Sequence, residues 1–346
     1  MSAITETELE KLLIDLEEDP NNLDLLNLIA IGYFENYNMN EDKDDYDYFE
    51  RAYLTKKTIK STHNFAWFLY FEWSEIEWRW NEDRAINRAL EIQKECIELA
   101  PKSYYPYLQY GYMLLDQKEY KKAIYFLEKS NQIEKTREAI HNLGCCHFFL
   151  GNYEEASIYF LESSNYNDIE HLSYYCFAIT EFKRNNLNTV KSIADKLYES
   201  IDYEFFDRIN GYDISFLYFL LKDFEKATAC ILKQGINGIS IGDSDEEGYS
   251  VYLTNKEIWK NSLLESIKEK ENWIKDIETG EDDDEYENED EKNQQIKELY
   301  SEIESLRIML ENGLEEPLPK FENYLRVEYC GCLLFDCKRH ENRKDD

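Results

Sequence analysis

Proline and glycine are scarce, at 5 and 12 in 346 residues. That excludes a turn-rich all-β fold and favours helices. No uninterrupted apolar run approaches the roughly 18 residues of a membrane span, so no transmembrane helix is expected. Cations are few: 39 Lys and Arg stand against 73 Asp and Glu, a formal net charge of −34. A chain so short of positive charge is poorly built to displace counterions from DNA or RNA or to dock on anionic lipid. The P-loop, GxGxxG and HExxH signatures are absent. The five histidines, 63, 141, 147, 171 and 340, stand in no recognisable catalytic arrangement. The expectation is a non-enzymatic chain without a cofactor.

What is present is aromatic and acidic. Aromatic residues make up 15% and hydrophobic residues 43%, which separates the chain from disordered acidic tails. The opening residues MSAITETELEKLLIDLEEDP are acidic and amphipathic, without the basic n-region and cleavage site of a secretory leader. A cytoplasmic location with eight reduced cysteines is therefore expected.

The sequence repeats. YLQYGYMLLDQKEYKKAIYFLEKS (107–130) aligns with IHNLGCCHFFLGNYEEASIYFLESS (140–164) at an offset of 33. Gly111 meets Gly144, Tyr120 meets Tyr153, Ala123 meets Ala156, and Phe126 meets Tyr159. A third copy sets Ala178 against Gly144 at an offset of 34, and a fourth places Phe224 and Ala227 where Tyr153 and Ala156 sit. A period in this range marks stacked helical units, each burying an apolar face only against its neighbour.

The pattern resembles the tetratricopeptide repeat (TPR) family: a helix–turn–helix with a small residue in the first helix, an aromatic before the second, and an alanine within it. The resemblance runs over about residues 8–235 and is most specific over 104–170. It implies an all-α, TPR-like right-handed helical solenoid. N-terminal helices with a degenerate repeat and an acidic insertion are expected over 1–69, and TPR-like repeats over 70–235. A loop over 236–254, a helical hairpin with an acidic loop over 255–312, and a terminal element with its tail over 313–346 complete the expectation. The hairpin rests on helically spaced Ile258, Trp259, Leu263, Leu264, Ile267, Trp273, Ile274 and Ile277, then Ile296, Leu299, Ile303, Leu306 and Leu310.

First helices line the inner surface of a TPR array. Carried over by position, the resemblance implies a partner-binding groove of Tyr105, Tyr112, His141, Phe148, Phe149, Tyr175, Phe182, Tyr212, Phe216 and Phe219, with Leu108, Leu115, Cys145 and Ile179 among them. Taken singly, each of these side chains also suits packing between adjacent repeats, where aromatics are mostly core. As a set they form an apolar stripe that needs a cover, either a partner segment or the chain's own C-terminal part.

Acidic runs occur at Glu41–Asp47, Asp243–Glu247 and Glu281–Glu291. Each alone reads as a solvated loop. Together they predict a negative field that steers a basic partner, with Asp243, Asp245, Glu246, Asp282, Asp283, Asp284 and Glu285 as the steering residues. Near the terminus, Cys330, Cys332, Cys337 and His340 offer three thiols and an imidazole to a zinc ion. Their spacing is not a common knuckle form, and buried cysteines in a terminal apolar element are the stronger reading. Cys145 and His141 share a helix face, where core filling outweighs metal or redox work.

These features point to a binder of protein, with no nucleic acid or membrane partner and an open oligomeric state. An acidic inhibitor or immunity protein that neutralises a basic protein, such as a toxin domain, fits the charge. A general scaffold taking hydrophobic peptide segments in the aromatic groove is the alternative. Carboxylate clamping is disfavoured, because Lys183 is a rare cation among the inward positions.

Overall fold

The computed structural model describes residues 4–35, 45–72, 81–166, 171–200, 209–234, 245–279 and 289–330. Every regular element among them is a helix, as the all-α reading expects. The chain divides into two compact units, one of residues 1–159 and 327–346, the other of residues 160–326.

The first unit holds α1 (Glu6–Glu18), α2 (Leu23–Glu35), α3 (Asp45–Thr55), α4 (Ile59–Phe71), α5 (Glu82–Leu99), α6 (Tyr104–Asp116), α7 (Tyr120–Ile133), α8 (Arg137–Phe149) and the start of α9 (Tyr153–Ser164). From α1 to α8 successive helices pack on one another, and α6 also touches α8, so alternate helices share a face. The second unit holds the rest of α9, then α10 (His171–Lys183), α11 (Leu187–Ser200), α12 (Gly211–Leu220), α13 (Phe224–Gln234), α14 (Asp245–Thr254), α15 (Lys256–Thr279), α16 (Glu289–Asn312) and the single turn α17 (Phe321–Tyr324). There α10, α12 and α14 form the shared face.

The repeat positions explain the pairing. A methyl on Gly111 would lie 2.8 Å from Leu127 Cγ of α7, so only hydrogen lets α6 and α7 approach that closely. Ala123, Ala156, Ala178 and Ala227 are fully buried. Tyr120 stacks on Phe149 at 5.1 Å. The pairs α6–α7, α8–α9, α10–α11 and α12–α13 each turn through one left-handed residue: Lys118 (φ 59°), Gly151 (79°), Asn185 (63°) and Lys222 (61°). The following amide reaches back five residues in every case, as in Glu119 N–H to the Leu114 carbonyl (2.8 Å) and Asp223 N–H to that of Tyr218 (2.9 Å). This closes the orphan carbonyls of the first helix.

The hairpin of α15 and α16 forms around Trp259, Leu263, Ile267, Ile274, Ile277, Leu299, Ile303 and Leu306. Each large apolar side chain buried there contributes roughly 1.5–3 kcal/mol. Trp273 and Leu264 are exposed instead. The expected loop over 236–254 needs correction, because Asp245–Thr254 is helical. Gly248 and the adjoining acids mimic a loop, but buried Val251 and Ser250 anchor the helix, and Ser250 Oγ bonds the Glu246 carbonyl at 2.9 Å.

Candidate peptide-binding groove

The shared-face helices are buried nearly all round. In α6 every residue from Tyr104 to Leu115 except Tyr107 is buried, and in α12 every residue from Gly211 to Leu220 except Tyr212. A helix apolar on all sides needs cover on both. Second helices of the repeats supply one cover. The other is the chain's own C-terminal segment.

In the first unit, residues 327–330 lie extended against α4, α6 and α8. Asn142 of α8 grips the main chain of Glu328 from both sides: its amide donates to the Glu328 carbonyl (2.8 Å), and its Oδ1 accepts the Glu328 N–H (2.8 Å). Such a clamp satisfies one residue's backbone without reading its side chain. Asn142 is fully buried, so an empty clamp would strand two polar groups. Arg137 pairs with Glu328 Oε1 at 2.9 Å, where both side chains are largely shielded. Trp67 Nε1–H donates to the Tyr329 hydroxyl (2.9 Å), and that ring meets Phe71 and Tyr112 edge-on at 5.2 and 5.7 Å. Asn142 Nδ2 also lies 3.2 Å from Cys330 Sγ.

In the second unit, residues 320–326 lie against α10, α12 and α14. Tyr324 stacks flat on Phe216, with ring centroids 3.5 Å apart and planes 3° apart. Its hydroxyl is shared between Glu246 Oε2 (3.2 Å) and Glu247 Oε1 (3.1 Å). Glu246 Oε1 takes the Lys320 N–H at 3.2 Å. Phe321 packs against Phe182 and Phe216, each at 5.9 Å, with the Lys183 ammonium 3.5 Å above its ring. Arg326 pairs with Asp213 Oδ1 at 2.8 Å, while the other Asp213 oxygen accepts the Asn210 N–H (2.8 Å) in the capping box of α12. Cys176 Sγ reaches the Arg326 carbonyl at 3.7 Å.

Burial sets the electrostatics here. It pushes the Asp213 carboxyl up to about 6, against the downward pull of Arg326. Burial also lowers Lys183 and raises the Tyr324 and Tyr175 hydroxyls, with Glu247 adding to Tyr324 and Asp213 to Tyr175. Burial pushes the Cys96 and Cys146 thiols up to about 12, which leaves them as unreactive thiols at neutral pH.

The residues expected along the groove take several places. Tyr112, Phe182 and Phe216 touch the C-terminal segment. Tyr175 is fully buried, and Phe219 stacks behind Phe216 at 6.4 Å. Tyr105 meets His63 edge-on, and Phe148 packs on Phe149 and Tyr153. His141 and Cys145 are core. Tyr212 packs on the cluster of the α15–α16 hairpin. Asn142, Arg137, Trp67, Asp213 and Glu247 were not legible as groove residues, although an Asn in the middle of an apolar helix is a visible anomaly.

Glu246 needs correction as an acid in a solvated loop: it is 4% exposed and bonded to the segment. Burial of α14 on α12 draws it inward. Asp243 and Asp282, Asp283, Asp284 and Glu285 lie outside the described residues, as do Cys332, Cys337 and His340. The side chain of Asp245 lies outside them too. Among the described residues no three His, Cys, Asp or Glu side chains gather to hold a metal, and no helix is long and apolar enough to cross a membrane. One string, Gly238-Ile239-Ser240-Ile241-Gly242, has the GxSxG spacing of a nucleophile elbow. That elbow needs a strand-to-helix turn; the described residues contain no strand, and the string lies outside them.

A tetratricopeptide repeat family model matches residues 138–167, which are α8 and α9. No curated protein matches the chain by sequence. Among solved structures, a tetratricopeptide repeat protein from Parabacteroides merdae is similar, at 16% identity and a TM-score of 0.50, covering 74% of this chain and 90% of its own. Yeast Tom70 is similar at 13% identity and a TM-score of 0.52, covering 88% of this chain and 59% of its own. At these identities the likeness is one of fold, that of a TPR-type helical repeat protein.

Proposed function

We propose that this TPR-type chain is a non-enzymatic binding protein whose repeat grooves take short protein segments. One observation carries the reading: the inner faces already hold the chain's C-terminal segment, residues 327–330 gripped by the backbone at Asn142 and the helical turn α17 by a ring at Phe216. These are the contacts by which a groove takes a peptide. The scaffold reading fits best, with partners that carry aromatic anchors and positive charge.

The charge of −34 favours a second reading, the dedicated inhibitor of a basic protein such as a toxin domain. It predicts one-to-one binding whose association rate falls steeply with salt.

Panning a displayed peptide library against the full chain tests the first reading. Recovered peptides should carry paired aromatics with a nearby basic residue, and recovery should fail on the Phe216→Ala chain. Recovery of peptides without aromatics, or equal recovery by the variant, would contradict it.

A further inference from the structure

We infer that the groove of the second unit is a receptor for an aromatic–x–x–tyrosine–x–arginine sequence carried by another protein, and that residues 321–326 of this chain occupy it as an internal competitor. The inference rests on the peptide-groove reading above and adds the chemistry of the partner.

Each letter of that motif meets a separate feature. The first aromatic, Phe321, sits between Phe182 and Phe216 under the Lys183 ammonium. The tyrosine supplies a flat face to Phe216 and a hydroxyl proton to two buried carboxylates. Phenylalanine would keep the stack and remove the hydroxyl donor that Glu246 and Glu247 share, a loss that buried acids do not tolerate cheaply. The arginine answers Asp213, a carboxylate only 1% exposed. Unmatched, it would be a buried uncompensated charge. Between the anchors, Glu322 and Asn323 are exposed, with Glu322 near enough to Lys183 to act on its charge, while Leu325 is buried and adds an apolar requirement to that position.

Three buried carboxylates around one arginine and one tyrosine are more acid than a mere packing seam needs. They make the face select a segment that brings a guanidinium to Asp213 and a hydroxyl donor to Glu246 and Glu247. A tethered occupant acts at an effective concentration on the order of millimolar. A free partner must therefore outbind it, and only segments matching all three anchors do so.

The test uses the full chain and a fluorescent synthetic peptide of residues 314–330 with serine in place of Cys330, followed by anisotropy. The wild-type chain should bind it weakly. A chain carrying Tyr324→Ala and Arg326→Ala should bind it at least tenfold more tightly, and adding Phe216→Ala or Glu246→Gln should remove the gain. Peptides with Tyr→Phe or Arg→Gln at the anchor positions should lose at least tenfold.

A scrambled peptide binding as well as the native one would overturn the motif while leaving the general groove reading intact. No peptide binding by any chain would overturn both. Far-UV circular dichroism checks folding, and Arg326→Gln alone is the milder variant if the double one unfolds. Hydrogen exchange on the weakened chain must show residues 320–326 released; retained protection would overturn the competitor role. Concentration-dependent dimers of the wild-type chain would assign the motif to a second copy and overturn the foreign partner.

Discussion

Phe216 and Tyr324 lie face to face, 3.5 Å between centroids, although they are 108 residues apart in the chain. Phe216 sits on a repeat helix and Tyr324 on the one-turn α17. The pair thus joins the repeat scaffold of the second unit to the segment that fills its groove.

Phe216→Ala should release that segment. A large-to-small change at a fully buried phenylalanine costs about 3–5 kcal/mol, here divided between α12 and α17. Amide exchange should show residues 320–326 losing protection before α10 or α11 does. Equal loss throughout the unit would mean that Phe216 is ordinary core.

Asn142→Ala should remove the side-chain partner of the Glu328 N–H and leave its carbonyl the Cys330 thiol at 3.2 Å, at about 1–3 kcal/mol. The effect belongs to residues 327–330 and should read out as faster exchange of the Glu328 amide. Asn142→Asp keeps the acceptor and should restore part of the protection.

Asp213 makes stability depend on pH. Its carboxyl is raised to about 6 from an ordinary 3.8. The folded chain therefore binds this proton more tightly than the unfolded chain does, and the cost of the buried charge is fully present above about 6. It disappears as pH falls from 6 to 3.8. Asp213→Asn keeps a cap acceptor and cannot ionise. Measured against that variant, the wild type should gain thermal stability between pH 7 and pH 4; a constant difference would contradict the assignment.

The left-handed turns predict opposite signs for mirror substitutions. Lys118 and Asn185 hold φ of 59° and 63° with side chains that glycine would relieve. Lys118→Gly should stabilise by up to about 1 kcal/mol, and Asn185→Gly by less, because Asn tolerates this region. Gly151→Ala should destabilise by a similar amount, although the added methyl meets open space. Thermal midpoints of the three variants check the signs.

Gly111→Ala should also destabilise, for a different reason. Its methyl would press on the Leu127 side chain, and overpacking of this kind costs about 1–3 kcal/mol.

The repeat was readable because Gly111, Ala123 and Tyr120 serve contacts within one period, so the constraint recurs at a fixed spacing. The groove was partly readable for the same reason: Tyr112 and Phe216 fall where first helices face inward. What fills it was not, because the Asn142–Glu328 clamp joins residues 186 apart and no local pattern encodes such a pair. Glu246 shows the limit most plainly. Among Asp and Glu neighbours it reads as solvent-facing, and only the tyrosine hydroxyl and backbone amide that reach it make its burial affordable.

The central claim is that the grooves hold an exchangeable segment, and hydrogen exchange of the full chain with saturating 314–330 peptide tests it most directly. The Lys320 and Glu328 amides should lose protection as the free peptide replaces the tethered segment, while α8, α10 and α12 stay protected. Unchanged protection of both amides at saturating peptide would show a fixed structural strap and contradict the account.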